Sequence, residues 1–382
     1  MVQLKHLAVA ALASISQTSA SPVIFTRDDS SSSSSSNTTY AFTNANGLNF
    51  TQMNTTLPNV TIFATGGTIA GSSPDNTATS GYQAGALGIS SLISAVPEML
   101  DVANVAGVQI SNVGSGDITS SILLEMAHRL NTVLCNDDTM SGAVVTHGTD
   151  TLEETAFFLD ATVNCKKPVV IVGAMRPATA ISADGPFNLL QAVTVASEPE
   201  ARNRGAMVVM NDRIASAYFV TKTNANVMDT FKAVEMGYLG AIVSNEPYFF
   251  YPPVQPTGKT TFDVSNITTI PRVDILYSYQ DMSNDTLYSS VENGAKGVVV
   301  AGSGAGSVNT VFGDAIEELV ADNGFPIVQS TRTGNGQVPY AAEGGISSGF
   351  LSPPKSRILL GLLLAQDKGV EEIREVFGKT GI

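Results

Sequence analysis

Residues 60–71 read Val60-Thr61-Ile62-Phe63-Ala64-Thr65-Gly66-Gly67-Thr68-Ile69-Ala70-Gly71. The β-branched and aromatic run at 60–64 predicts a buried strand. It breaks into two glycines, which permit backbone angles closed to other residues and let a ligand come close to the main chain. Thr65 and Thr68 flank them. Hydroxyls just past a strand end sit where open α/β sheets bind ligands. A plain strand-to-loop turn with two threonines has the same sequence, so the flanking chain must decide.

Downstream, strands and helices alternate, the pattern of an α/β domain with a largely parallel sheet. A polar loop at 72–85 carries one aromatic, Tyr82, and is placed to act as a lid; an ordinary loop aromatic is the alternative. A helix at 87–96, a strand at 105–113 and a helix at 118–134 come next. Between the last two, Gly114-Ser115-Gly116-Asp117 gives a second strand end with glycines and a hydroxyl. The third lies after a strand at 143–145, in Thr146-His147-Gly148-Thr149-Asp150-Thr151, ahead of a helix at 152–163. Asp150 with Glu153, or Thr151 with Glu154, predicts a capping box there. His147 alone is more often a packed core residue than a catalyst. A strand at 168–173, a helix at 187–196 and a strand at 207–211 complete the pattern. Lys222, flanked by Thr221 and Thr223, stands in a setting that favours partial burial. Parallel topology brings the three strand ends to one edge.

A chain of 382 residues predicts two domains. Residues 1–20 carry Lys5 and His6, a short apolar run and Thr18-Ser19-Ala20, the pattern of a signal peptide. That run is too short to span a bilayer. Residues 21–56, with the serine run 30–36, predict a disordered linker. The larger domain then occupies 57–251. Residues 252–271, rich in proline and threonine, predict an interdomain linker. A smaller α/β domain fills 272–382, with strands at 273–277, 298–301 and 327–330 and helices at 310–321, 357–366 and 370–377. Its Gly302, Gly304 and Gly306 are spaced G-x-G-x-G, not as a dinucleotide fingerprint.

The net charge of −14 argues against nucleic acid or an anionic membrane surface as partner. No histidine or cysteine cluster has metal-ligand spacing. Sequons at Asn37, Asn49, Asn54, Asn59, Asn266 and Asn284 fit a secreted glycoprotein. Export favours a disulfide between Cys135 and Cys165, with a catalytic thiol as the alternative. Closing a loop of about 30 residues gives roughly 3–4 kcal/mol in the chain-entropy model.

Together the motifs Ala64-Thr65-Gly66-Gly67-Thr68-Ile69-Ala70 and Thr146-His147-Gly148-Thr149-Asp150-Thr151 resemble those of the secreted (type II) bacterial-type L-asparaginases. Gly173-Ala174-Met175-Arg176-Pro177, Ser182-Ala183-Asp184-Gly185-Pro186-Phe187-Asn188 and Thr221-Lys222-Thr223 extend the resemblance, which covers nearly all of 57–377. It implies an α/β fold: a larger N-terminal domain with a mainly parallel sheet flanked by helices, plus a smaller C-terminal α/β domain. It implies cofactor-free hydrolysis of L-asparagine to L-aspartate and ammonia through an aspartyl ester, with some glutaminase activity open. Thr68 matches the nucleophile and Tyr82 the lid tyrosine. Thr149, Asp150 and Lys222 match a second catalytic group.

Substrate contacts implied are Ser115 for the α-carboxylate, Asp150 for the α-ammonium, Thr149, and Gly67 in a glycine turn with oxyanion donors. The family pattern has glutamine or glutamate after the serine, where Gly116 stands here. Ala305 then Ser307 follows members that use a serine in the second domain. A glutamate from a neighbouring subunit matches Glu343 by counting from Val338-Pro339. A homotetramer with shared sites, located outside the cell, in the wall or in the periplasm, is implied. The alternative function is a secreted, non-catalytic amino-acid-binding protein on the same fold.

Overall fold

The computed structural model describes residues 40–341 and 344–380. In order, the larger lobe contains β1 (Phe42–Thr43), β2 (Asn49–Phe50), β3 (Asn59–Gly66), α1 (Ile89–Ala95), β4 (Asn104–Val113), α2 (Ser120–Leu130), β5 (Met140–Thr146), α3 (Leu152–Thr162), β6 (Val169–Val172), α4 (Gly185–Ser197) and β7 (Ala206–Met210). Strands β4-β3-β5-β6-β7 form the parallel centre of one sheet. Alternate side chains face opposite ways, so the strands divide into two cores. Phe63, Val145, Ile171 and Val208 pack with Met126, Leu130 and Phe158 of α2 and α3. Ile62, Val144, Val170 and Val209 pack with Leu92 and Leu189 of α1 and α4. Burial on both faces is why these strands read as near-continuous apolar runs.

Antiparallel strands extend the sheet at both edges, so it is mixed rather than parallel throughout. On one side, β8 (Arg213–Ser216) folds back on β7, and the hairpin of β11 (Gly240–Val243) and β12 (Glu246–Phe249) closes that edge. The two tight turns use Asn211-Asp212 and Ser244-Asn245, all at positive φ, as two-residue hairpins require. Off the sheet, β9 (Thr221–Lys222) pairs with β10 (Phe231–Lys232).

The linker expected at 21–56 is corrected over 40–56, which is folded; residues 1–39 lie outside the described residues. Phe42 and Phe50 stack with centroids 4.5 Å apart, and Phe50 is fully buried where β2 joins β4. Asn44 and Asn46 both donate to Asp137, and Gln52 donates to the carbonyls of Leu100 and Ala103. Two aromatic rings anchor a segment whose composition is otherwise that of a loop.

The smaller lobe has β13 (Val273–Tyr277), α5 (Asp285–Glu292), β14 (Gly297–Gly302), α6 (Thr310–Asn323), β15 (Ile327–Thr331), β16 (Ile346–Ser347), α7 (Pro353–Ala365) and α8 (Val370–Gly378). Its four strands are all parallel, in the order β13-β14-β15-β16. Leu359, Leu360 and Leu363 of α7 join the α3 side of the larger lobe in one apolar cluster. Residues 252–271 have no regular structure, yet Phe262 and Val264 are buried in that same cluster. Cys135 and Cys165 are joined, with Cα atoms 5.3 Å apart. The bridge ties the π-helical turn Asn131–Cys135 after α2 to the chain leaving α3. Among the described residues, no helix is long and apolar enough to cross a membrane.

Candidate active site

From β3 the chain moves outward to β4, then crosses to β5 on the other side of β3. Such a reversal opens a crevice at the carboxyl ends of the strands, where ligands of open α/β sheets bind. Here the three turns touch one another. Gly66 and Gly67 have φ of 107° and 77°, and a Cβ on Gly67 would strike the backbone of Gly148. A Cβ on Gly148 would come within 2.9 Å of Ser115 Cβ. Glycine is required because backbone packs on backbone. Thr65 Oγ1 donates to Thr146 O at 2.8 Å and Ser111 Oγ to Thr65 O at 3.0 Å, fixing the ends laterally.

Thr68 opens a short 3-10 turn and is 6% exposed. Its Oγ1 lies 2.6 Å from the hydroxyl of Tyr82. The loop carrying Tyr82 is closed over the turn. Ser72 and Gln83 exchange both backbone hydrogen bonds at 3.0 Å, and Gly85 N–H donates to Gly67 O at 3.0 Å. Gly71 is needed because a Cβ there would sit 3.0 Å from the tyrosine ring. The loop rests on residues 174–186: Ala178 N–H donates to Gly71 O and Ile181 N–H to Asn76 O. That support is braced by Asp184, which accepts from Met175 and Arg176 N–H at 2.9 Å. The second pair of sequence motifs is thus the floor beneath the lid.

The second group is built from elements far apart in the chain. Lys222 Nζ donates to Thr149 Oγ1 at 3.0 Å and pairs with Asp150 Oδ1 at 2.6 Å. Thr149 is 5% exposed. The Lys222 side chain is 15% exposed, and that of Asp150 82%, so this trio has one sheltered and one open end. The expected capping box does not form. Thr151 is the N-cap of α3, but its hydroxyl donates to Ser115 O at 2.7 Å, tying the β4 and β5 turns together. Glu153 accepts the backbone N–H of Lys222 at 2.7 Å. A carboxylate in the first helical turn was legible as a cap; its partner, 69 residues on, was not.

His147 is fully buried. Its Nδ1 lies 2.7 Å from Gly148 O and its Nε2 2.8 Å from Thr155 Oγ1. A carbonyl only accepts, so Nδ1 carries the proton and Nε2 accepts from the threonine. That is a neutral imidazole, and burial pushes its pKa down to about 4. The histidine is a packed strut beneath the Thr149 turn.

Ser115 is buried against Gly148, inside the crevice. Gly116 is exposed, with open space around the position of a Cβ. Gly67 N–H is already given to Val113 O at 2.9 Å, so its expected service to substrate is confined to close approach. Ser307 stands apart, on the exposed turn after β14, paired with Ser303 through backbone bonds. Glu343 lies outside the described residues.

Known proteins are similar to this chain over most of its length. The family model "Asparaginase, N-terminal" matches residues 59–255, and "Glutaminase/Asparaginase C-terminal domain" matches 272–377. L-asparaginase 2-3 of Saccharomyces cerevisiae is 50% identical over 85% of this chain and 91% of its own. L-asparaginase 2 of Escherichia coli is 44% identical over 85% and 93%. A solved structure, a probable cytoplasmic L-asparaginase from Campylobacter jejuni, is 43% identical with a TM-score of 0.80, covering 84% of this chain and 99% of that one. The last comparison overturns the expected location outside the cell. A relative described as cytoplasmic has the same fold, so the fold carries no requirement for export, and the leader reading rested on residues outside those described. With both of its lobes matched by family models and its sequence half identical to a curated relative, the chain belongs to the asparaginase family.

Proposed function

We propose that this protein hydrolyses L-asparagine to L-aspartate and ammonia. The observation that carries the reading is the pair of threonine hydroxyls at adjoining strand ends, one 2.6 Å from a tyrosine hydroxyl and one 3.0 Å from a lysine amine. A threonine hydroxyl is a poor nucleophile until a neighbour takes its proton. Thr68 Oγ attacks the side-chain amide carbon while its proton passes towards Tyr82. The carbon–nitrogen bond breaks, the nitrogen gains that proton, and ammonia leaves an aspartyl ester on Thr68. Water then attacks the ester carbon, the carbon–oxygen bond to Thr68 breaks, and the hydroxyl is restored. Thr149, Lys222 and Asp150 relay protons during these steps.

Ser115 is placed for the substrate α-carboxylate and Asp150 for the α-ammonium. The wide exposure of Asp150 in the single chain fits a site completed by a second subunit, so Ser307 and Glu343 of a neighbouring chain in a homotetramer are proposed contributors. Steady-state ammonia release with L-asparagine and L-glutamine tests the reaction and its preference. Mass spectrometry of acid-quenched enzyme tests the ester, expected on Thr68. Tight binding of L-asparagine without ammonia release would instead support a non-catalytic binding protein.

A further inference from the structure

Lys355 is the third residue of α7, in the smaller lobe, and is 2% exposed. The position is unfavourable on two counts. A buried ammonium is costly, and a cation in the first turn opposes the helix dipole. Its hydrogen-bond partners are carbonyls, not carboxylates: Nζ donates to Tyr218 O at 2.8 Å and Val220 O at 2.6 Å. Burial pushes its pKa down to about 8, with Glu153 and Asp160 pulling the other way.

The two carbonyls belong to the turn that delivers the chain into β9, and Lys222 follows Val220 by two residues. Strand β9 is itself only two residues long and pairs with a strand of two. So short a ladder holds a side chain loosely. The segment is instead pinned at three points: the two carbonyls by Lys355, and Lys222 N–H by Glu153 at 2.7 Å. The neighbouring Arg357 adds a contact from α7 to Glu154 at 3.3 Å.

We propose that Lys355 is a positioning residue for Lys222, reaching from the smaller lobe to clamp the carbonyls of Tyr218 and Val220 and so hold Lys222 Nζ on Thr149 and Asp150. The inference rests on the reading of Lys222 as a proton-transfer group. It gives the smaller lobe a task inside its own chain, separate from any service to a partner's site.

A double-mutant cycle on the full protein tests it, with L-asparagine as substrate and unfolding temperature as the control for folding. Lys355→Met keeps the length of the side chain and removes the donors. It is expected to lower kcat by about tenfold or more, with KM within about threefold, because a small misplacement of a reacting group is enough for such a loss. In the Lys222→Met background the same change should lower kcat further by less than about twofold, since the group it positions is gone. An equal factor in both backgrounds, or an unchanged kcat in a folded Lys355→Met protein, overturns the positioning role. Failure of Lys222→Met to lower kcat would overturn the reading of Lys222 instead. Should Lys355→Met not fold, Lys355→Gln, whose amide ends one atom short of the ammonium and so loosens the grip on both carbonyls, enters the same cycle under the same criteria.

Discussion

The two threonine groups are built in opposite ways. Thr68 and Tyr82 lie 14 residues apart, and the loop between them closes by its own backbone bonds. Thr149 and Lys222 lie 73 residues apart, joined across α3, β9 and the first turn of α7. The first group can open by releasing a few backbone bonds, those between Ser72 and Gln83 lying nearest the surface, as a lid over a reaction must. The second is held by two buried supports, His147 below and Lys355 beside, and by the half-buried Glu153. On the proposed mechanism, a lid that opens beside a held pair would let substrate enter without disturbing the groups that move protons.

The sharpest way to break this comparison is at its mobile half. Thr68→Ala should lower kcat by on the order of 10⁴-fold or more, because the hydroxyl that forms the ester is gone while Thr149 stays tied to Lys222. The fold should survive, since the change leaves the glycine turn intact. Single-turnover ammonia release and a thermal melt check both points. More than about a hundredth of kcat remaining would mean that Thr68 is not the nucleophile.

At the fixed half, Lys222→Met should lower kcat by roughly 10²–10⁴-fold, the usual range for losing a general acid or base. KM should move much less, because Lys222 bonds Thr149 and Asp150. A raised KM with kcat unchanged would assign the lysine to binding.

The same contrast explains what the sequence disclosed. The Thr68 end is local, so its strand, glycines and threonines could all be read from twelve residues. The Thr149 end was read correctly as a strand end, but its supports were not. Glu153 looked like half of a capping box, because that is what a glutamate three residues into a helix most often is. Lys355 drew no reading at all, since the helix was expected to begin only at residue 357. Both act through tertiary contacts that no local pattern encodes. The antiparallel edge was missed although Asn211-Asp212 and Ser244-Asn245 are hairpin residues, since the strands they join are only four or five residues long. Phe42 and Phe50 were overruled by the loop-like composition around them.

Acid should find the fixed half first. His147 titrates near 4 when folded, against 6.5 in an open chain, so the unfolded state takes up the proton earlier. Stability from this group is complete above pH 6.5, falls as pH drops towards 4, and is level below that. The loss is on the order of 3 kcal/mol. Urea unfolding between pH 7 and pH 4 measures it, and His147→Gln should flatten the curve by about that amount. An identical pH dependence in the variant would mean that other groups carry the acid sensitivity.

The smallest effect concerns the rim between the two halves. Gly116 follows Ser115 on the β4 turn, has no positive φ, and has open space where a Cβ would stand. Glutamine should therefore fit there without strain. From that position its carbonyl oxygen can accept from the substrate α-ammonium, the group proposed to pair with Asp150. A hydrogen bond to a charged group at an open rim is modest, so Gly116→Gln should lower KM for L-asparagine by about two- to tenfold, or up to roughly 1.4 kcal/mol. Turnover should change little, because the reacting amide lies at the other end of the substrate. Steady-state kinetics on wild type and variant decide the matter. An unchanged KM would mean that a neighbour, with Asp117 the nearest carboxylate in sequence, already supplies the acceptor, and removing Asp117 in the wild type should then raise KM by the amount expected of the missing glutamine.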